Sequence, residues 1–358
     1  MAEPLKNMYN KAFVENLAKA LNASDKKFNQ PQFIKAVLNS NWDGLELKAR
    51  TIHISEQMHA SLPYGYKAQI EILMPVAPNF NGFTATIFPT FVELFGLDEV
   101  EISLTALQEF TQYSTSEFAI RPFLAANPEL IKVMYEWSKS DNHHVRRLAS
   151  EGCRPLLPWA MKLHNYVADP SPIIPILDTL KNDQEDYVYR SVANNLNDIS
   201  KHHPELVLEL CGKWMNESKT THWVAKHALR TLLKKGNQTA MQLFGFGSIA
   251  SIKTNQFSLL NPKIAIGNSS TLEIGITNKG KTAKFRLEYA VGYLKKNGSH
   301  NEKVFQLRES EVKKGESLSF SKKVDFKDLS TRKHYVGAHY IALKINGIPV
   351  ERVAFELT

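Results

Sequence analysis

Hydrophobic positions change their period once along this 358-residue chain. From the start to about Phe244, apolar residues recur at three- and four-residue spacing, as in Met8 to Leu21, Gln32 to Leu38 and Lys67 to Met74, which predicts helices. From Phe257 onward the period is two. Thr271 to Thr277, Lys284 to Ala290, Leu318 to Ser321 and Tyr335 to Ile345 alternate, separated by Asn-Lys-Gly, Lys-Asn-Gly-Ser and Asn-Gly turns. Roughly seven short strands in about 100 residues predict an immunoglobulin-like sandwich without its usual cysteine pair. The expected fold class is α + β in separate domains: an all-α helical repeat solenoid over residues 1–246, then an all-β immunoglobulin-like sandwich over 257–358. The glycine- and serine-bearing stretch Gly245 to Gln256 is the expected connection.

The helical part repeats. Aligning Val145, Val188 and Val224 brings three helices into register at spacings of 43 and 36 residues, the range of two-helix repeats. Four residues beyond each valine stand Ala149, Val192 and Ala228, and eight beyond stand Cys153, Leu196 and Leu232. Positions i, i+4 and i+8 therefore form an apolar stripe that should face the neighbouring repeat. Two beyond each valine stand Arg147, Arg190 and Lys226, roughly 200° around the helix and so away from that stripe. Glu151, Asn194 and Asp198 share this basic face. Pro128, Pro172 and Pro204 sit where proline is tolerated, in the first turn of the leading helix of each pair.

Charge narrows the partner. A formal net charge of +8 and a pI near 9.2 favour an anionic surface, with nucleic acid ahead of membrane because no uninterrupted apolar span is present. The amino terminus lacks the pattern of a secretory signal, so a cytoplasmic location is expected. Cys153 on the stripe and Cys211 in a helical run read as small core hydrophobes. His143-His144 and His202-His203 point about 100° apart on a helix with no further ligand at metal spacing, so neither a metal nor another cofactor is expected. No GxSxG nucleophile motif occurs, and the GFG at Gly245 is too short for a phosphate loop.

Simpler roles compete for each charged residue. Arg147 and Glu151, four apart, could be a surface ion pair worth a few tenths of a kcal/mol. Arg146 after Asp141 reads as a structural tie of the turn. Ser114-Thr-Ser-Glu117 has the spacing of a capping box, which would give Glu117 a structural role. Trp159, after Leu156-Leu157-Pro158, reads by composition as a packed core aromatic.

The run VRRLASEGCRPLLPWA, with SEFAIRPFL upstream, RSVANNLNDISK downstream and the carboxyl-terminal sandwich, resembles the AlkC branch of the bacterial DNA alkylation-repair glycosylases. The resemblance covers essentially the whole chain. It implies HEAT-like repeats that cradle duplex DNA, an immunoglobulin-like domain that closes around it, and release of the cationic bases 3-methyladenine and 3-methylcytosine without extrusion into a pocket. Carried over residue by residue, the catalytic pattern falls on Glu117, Arg147, Glu151, Trp159 and Asp198. The several carboxylates here differ from the paired tryptophans around one aspartate of the AlkD branch. Arg190, Lys226 and Arg121 would neutralise backbone phosphates, and Lys295 and Lys296 of a sandwich turn would reach DNA. Double-stranded alkylated DNA is the expected partner of a monomer that needs no membrane and no protein partner. The rival from another class is a non-catalytic repeat scaffold that binds nucleic acid or protein; it explains the basic column but not the acids inside it.

Overall fold

The computed structural model describes residues 3–329 and 332–358. Two compact units emerge. One comprises the chain up to His203 together with Lys213–Ala228; the other comprises Pro204–Gly212 with Leu229–Thr358.

The first unit is helical, and local chemistry sets its helix starts. Asn10 accepts a hydrogen bond from the Phe13 amide to open Lys11–Ser24, and Asn29 does the same for Gln32 in Gln30–Val37, which has proline in its first turn. Tyr66–Leu73 follows the third expected periodic stretch within one residue at each end. Pro128 and Pro172 lie in short 3-10 turns that lead into Ile131–Trp137 and Ile174–Leu180, and Pro204, which belongs to the second unit, opens Pro204–Trp214.

The repeat register holds in three dimensions. Helix His143–Gly152 packs on Asp186–Ile199, which packs on Lys219–Ala228. The stripe residues Val145, Ala149, Cys153, Val188, Val192, Leu196, Val224, Ala228 and Leu232 are all buried. Each large aliphatic among them contributes about 1.5–3 kcal/mol of apolar burial. Arg146 is the expected tie: it donates to both carboxylate oxygens of Asp183 at 2.7 and 3.0 Å and to the carbonyls of Ser140 and Asp141. The side chain thus joins the turn before its own helix to the turn before the next one.

In the second unit, Gln238–Leu243 is followed by eight strands among the described residues. They are β1 (Ile252–Leu259), β2 (Lys263–Ile264), β3 (Ser269–Asn278), β4 (Ala283–Leu294), β5 (His300–Val312), β6 (Ser317–Asp325), β7 (Gly337–Ile345) and β8 (Ile348–Leu357). They form a three-stranded sheet in the order β1-β3-β6 and a five-stranded sheet in the order β2-β8-β7-β4-β5. Every pairing is antiparallel except β2 with β8. Inward residues of both sheets, among them Leu272, Ile274, Phe285, Leu287, Ile341 and Leu343, make the core.

Strand β1 begins inside the stretch read as connection. A bulge between Thr254 and Gln256 breaks its alternation, which hides the period of two from the sequence. The Asn346-Gly347 turn between β7 and β8 has both residues at positive φ, 49° and 76°, as a two-residue hairpin of this type requires. Buried charge also lies in this unit. Arg286 on β4 donates to Glu288 at 2.8 Å and to Glu309 on β5 at 2.7 Å, with Glu288 fully buried.

No helix among the described residues is long and apolar enough to cross a membrane. Cys153 and Cys211 are free and buried, and burial pushes both thiols up to about 12.

Candidate active site

Helix His143–Gly152 starts at Asn142, whose side chain accepts from the His144 amide, and ends where Gly152 packs against its neighbours. A Cβ on Gly152 would come within 2.7 Å of Ile120 and 3.0 Å of Met134, so only glycine permits this close approach. The helix presents Arg147 and Glu151 on one side, and Arg154 follows three residues beyond Glu151.

Together these residues form an alternating row. Arg147 pairs with both oxygens of Glu117 and donates to the Thr115 hydroxyl at 2.7 Å. Its guanidinium also lies 3.7 Å from Glu151. Arg154 donates to Glu151 at 2.6 Å and, through Nε, to Asp198 at 2.9 Å, and Lys201 closes the row on the other Asp198 oxygen at 3.0 Å. The Arg147 guanidinium sits 4.7 Å from the ring centre of Tyr187. Glu117, Glu151, Arg154 and Asp198 are all at least nine-tenths buried. Burial raises the Glu117 carboxyl above the usual carboxylate range, although Arg147 pulls it the other way. On Arg147 burial opposes the charge, but the facing carboxylates of Glu117 and Glu151 outweigh it and raise its value.

The structure thus brings Glu117, Arg147, Glu151 and Asp198 into one array. Two competing roles fall away. Glu117 does not close a capping box, because helix Ile120–Ala126 has no side-chain cap and the carboxylate is engaged by Arg147. Arg147 and Glu151 are not an exposed surface pair; Glu151 is buried and Arg147 largely enclosed within the larger network.

Trp159 is not a core aromatic. Its side chain is 90% exposed and its φ is +65°. The amide of Ala160 reaches back to the Leu157 carbonyl at 3.3 Å, with Pro158 at the second and Trp159 at the third turn position. A β-turn with proline there and a positive φ next asks for glycine or asparagine. A tryptophan at that position is strained by roughly 1–2 kcal/mol and faces solvent.

Arg121 corrects an expectation. It does not neutralise a phosphate, because it is fully buried and spends its donors on backbone carbonyls: Met161 at 2.9 and 2.6 Å, Gly152 at 3.0 Å and Arg154 at 2.8 Å. Burial lowers its value to about 10, which leaves it charged. The basic column is also less bare than its spacing suggests. Arg190 is exposed, yet it is paired with Asp186 at 2.6 Å and lies 5.0 Å from the Trp223 ring centre. Lys226 is partly exposed on the third repeat helix, and Lys295 and Lys296 are exposed in the turn between β4 and β5.

Arg154, Tyr187 and Thr115 are the site residues that the sequence reasoning passed over. Only Arg154 left a signal, its position three residues beyond Glu151 at a helix end. The described residues contain no group of three histidine, cysteine or acidic side chains able to hold a metal.

Known proteins are similar to this chain. Residues 99–232 match the model of the DNA alkylation repair enzymes, and residues 253–358 match a model described as the C-terminal Ig-like domain of the uncharacterised protein YhaZ. YhaZ of Bacillus subtilis strain 168 is 41% identical over 354 residues, 99% of each chain. A structure of the Pseudomonas fluorescens alkylpurine DNA glycosylase AlkC, bound to DNA containing an abasic-site analogue, superposes with a TM-score of 0.96. It is 36% identical and covers 99% of this chain and 100% of its own. The chain belongs to the DNA alkylation repair glycosylase family. Within it, the full-length agreement, including the carboxyl-terminal immunoglobulin-like domain, assigns it to the AlkC branch.

Proposed function

We propose that this chain is a monofunctional DNA glycosylase that hydrolyses the N-glycosidic bond of cationic N3-methylated bases, 3-methyladenine and 3-methylcytosine, in duplex DNA. The observation that carries the reading is the row Glu117–Arg147–Glu151–Arg154–Asp198, with an exposed, strained Trp159 on the loop that follows it. A scaffold surface has no use for three desolvated carboxylates on the face that should attract phosphate.

The chemistry follows from the substrate. An N3-methyl group makes the base cationic and a good leaving group, so no strong general acid is required. As the bond lengthens, positive charge moves to the deoxyribose, and a carboxylate held nearby stabilises this oxocarbenium-like state. Glu151 and Asp198 are the proposed pair, one facing the sugar cation and the other orienting the attacking water, each worth roughly 2–4 kcal/mol in a preorganised site. Arg154 is a positioning residue, since it holds both carboxylates. Trp159 offers a flat face to the deoxyribose from a minor-groove approach, with the base left near the stack and the duplex bent to give access. Arg190, Lys226, Lys295 and Lys296 are the proposed phosphate contacts, which would make affinity fall steeply with salt. The protein acts as a monomer without a cofactor.

The test is release of free methylated base from dimethyl-sulfate-treated DNA, with binding to an abasic-analogue duplex measured in parallel. Glu151→Gln should bind as wild type does while release falls about 10²–10³-fold. Equal DNA binding by both proteins with no base released by either would leave a basic scaffold in place of an enzyme.

A further inference from the structure

Within the helical unit, Leu47, Ile52, Phe83, Leu94, Phe118 and Trp159 line a cavity of about 450 Å³. Its walls are mainly apolar, and Phe83 and Leu94 remain partly exposed within it. Thr115 also lines the cavity, and its hydroxyl is the group that accepts from Arg147. The cavity therefore shares a wall with the carboxylate array.

One acid faces this space. Glu93 is half-buried, and neither a hydrogen bond nor an ion pair engages its carboxylate among the described residues. Burial raises the carboxyl, with only a weaker opposing pull from Lys48. The hydroxyls of Thr51 and Thr86 are already spent on the carbonyls of Leu47 and Phe83. An apolar slot of this volume with an aromatic wall, lined also by Lys48 and by one acceptor-only carboxylate that no protein donor engages, fits a flat, apolar-faced ligand that carries N–H donors.

We propose that this cavity is a binding site for the free purine base, its ring packed beside Trp159 and its exocyclic amino group donating to Glu93. The proposal deepens the glycosylase reading and rests on it for the origin of the ligand. It places a holding site for the departed base next to the bond that is cut, so that product accumulation slows turnover by occupying the Trp159 face.

The test is binding of free 3-methyladenine, adenine and hypoxanthine to the full-length protein by saturation-transfer NMR and equilibrium dialysis. Both amino-bearing purines should bind. Hypoxanthine, which turns a carbonyl toward Glu93, should bind at least about tenfold more weakly, a comparison that needs no variant. Glu93→Gln should weaken adenine binding by a similar factor, and Leu94→Trp, which fills the slot from an exposed position, should abolish it with the melting temperature retained. Absence of binding at millimolar base, or equal affinity for adenine and hypoxanthine, overturns the proposal. Release of methylated base from DNA by the same preparation separates the two claims. Release without base binding removes the cavity site and leaves the enzyme, whereas base binding without release supports the cavity site and removes the enzyme.

Discussion

Two regions of this molecule bury arginine against glutamate, and they are built to different ends. On β4 and β5, Arg286 sits between Glu288 and Glu309, and Glu288 is fully enclosed. In the helical unit, Arg147 and Arg154 alternate with Glu117, Glu151 and Asp198 along elements distant in sequence, beside a cavity and an exposed indole. Burial of an ion pair is weak evidence of either stability or function. What distinguishes the helical row is its company: Trp159 turned outward, the Tyr187 ring over Arg147, and Thr115 shared with a cavity wall.

Cutting the arginine of each cluster breaks the comparison with the largest expected effect. Arg286→Met strands Glu288 without compensation, so unfolding free energy in urea should fall by about 3–5 kcal/mol while the protein that remains folded releases base at the wild-type rate. Arg154→Met should also lose stability, but its signature is kinetic. With Glu151 and Asp198 both unheld, single-turnover base release should drop about 10²-fold in fully folded protein. Equal kinetic losses for the two variants would give the two clusters the same role.

Trp159→Gly sharpens the comparison in the opposite direction. The glycine relieves a positive-φ strain and removes no buried contact, so stability should rise by about 1 kcal/mol in the same urea titration. Base release and abasic-site binding should fall together. A stability loss would mean that the indole supports the fold after all.

The smallest effect is a pH limb. Because the Glu117 value lies above the usual carboxylate range, its protonation begins at a higher pH than that of an ordinary glutamate and weakens its hold on Arg147. Base release should therefore decline as pH falls through that raised value, and Glu117→Gln should lack this limb while keeping a lower plateau. The pH–rate profiles of the two proteins check it. Stability carries the opposite sign and should fall as pH rises from the unfolded value to the raised folded one. The folded state binds this proton more tightly than the unfolded chain does, so ionised Glu117 costs stability fully only once pH exceeds the folded value.

Much of this was legible in the residues. The stripe from Val145 through Leu232 is buried as its spacing requires, and the alternation from Thr271 to Ile345 became paired strands. Arg147 and Glu151 declare themselves by sharing a helix face. The rest depends on partners far along the chain. Nothing local says that Arg121 meets Met161, that Arg154 reaches Asp198, or that a tryptophan after Leu-Leu-Pro turns outward. Arg121 and Arg190 look alike in sequence, yet one is sealed among carbonyls and the other lies in solvent with an aspartate. Strand β1 escaped because its bulge removed the alternation by which strands are recognised.

The fully buried Arg121 has a consequence for recognition. By holding the carbonyls of Gly152 and Arg154 at one end and that of Met161 at the other, a single guanidinium clips the segment carrying Trp159 into a closed hoop. The chain entropy of that hoop is surrendered when the protein folds, so on the proposed function an arriving duplex would meet an indole already in place. Arg121, which touches no nucleic acid, would then govern how fast damage is found: a loosened hoop would have to be ordered anew at every site the protein inspects.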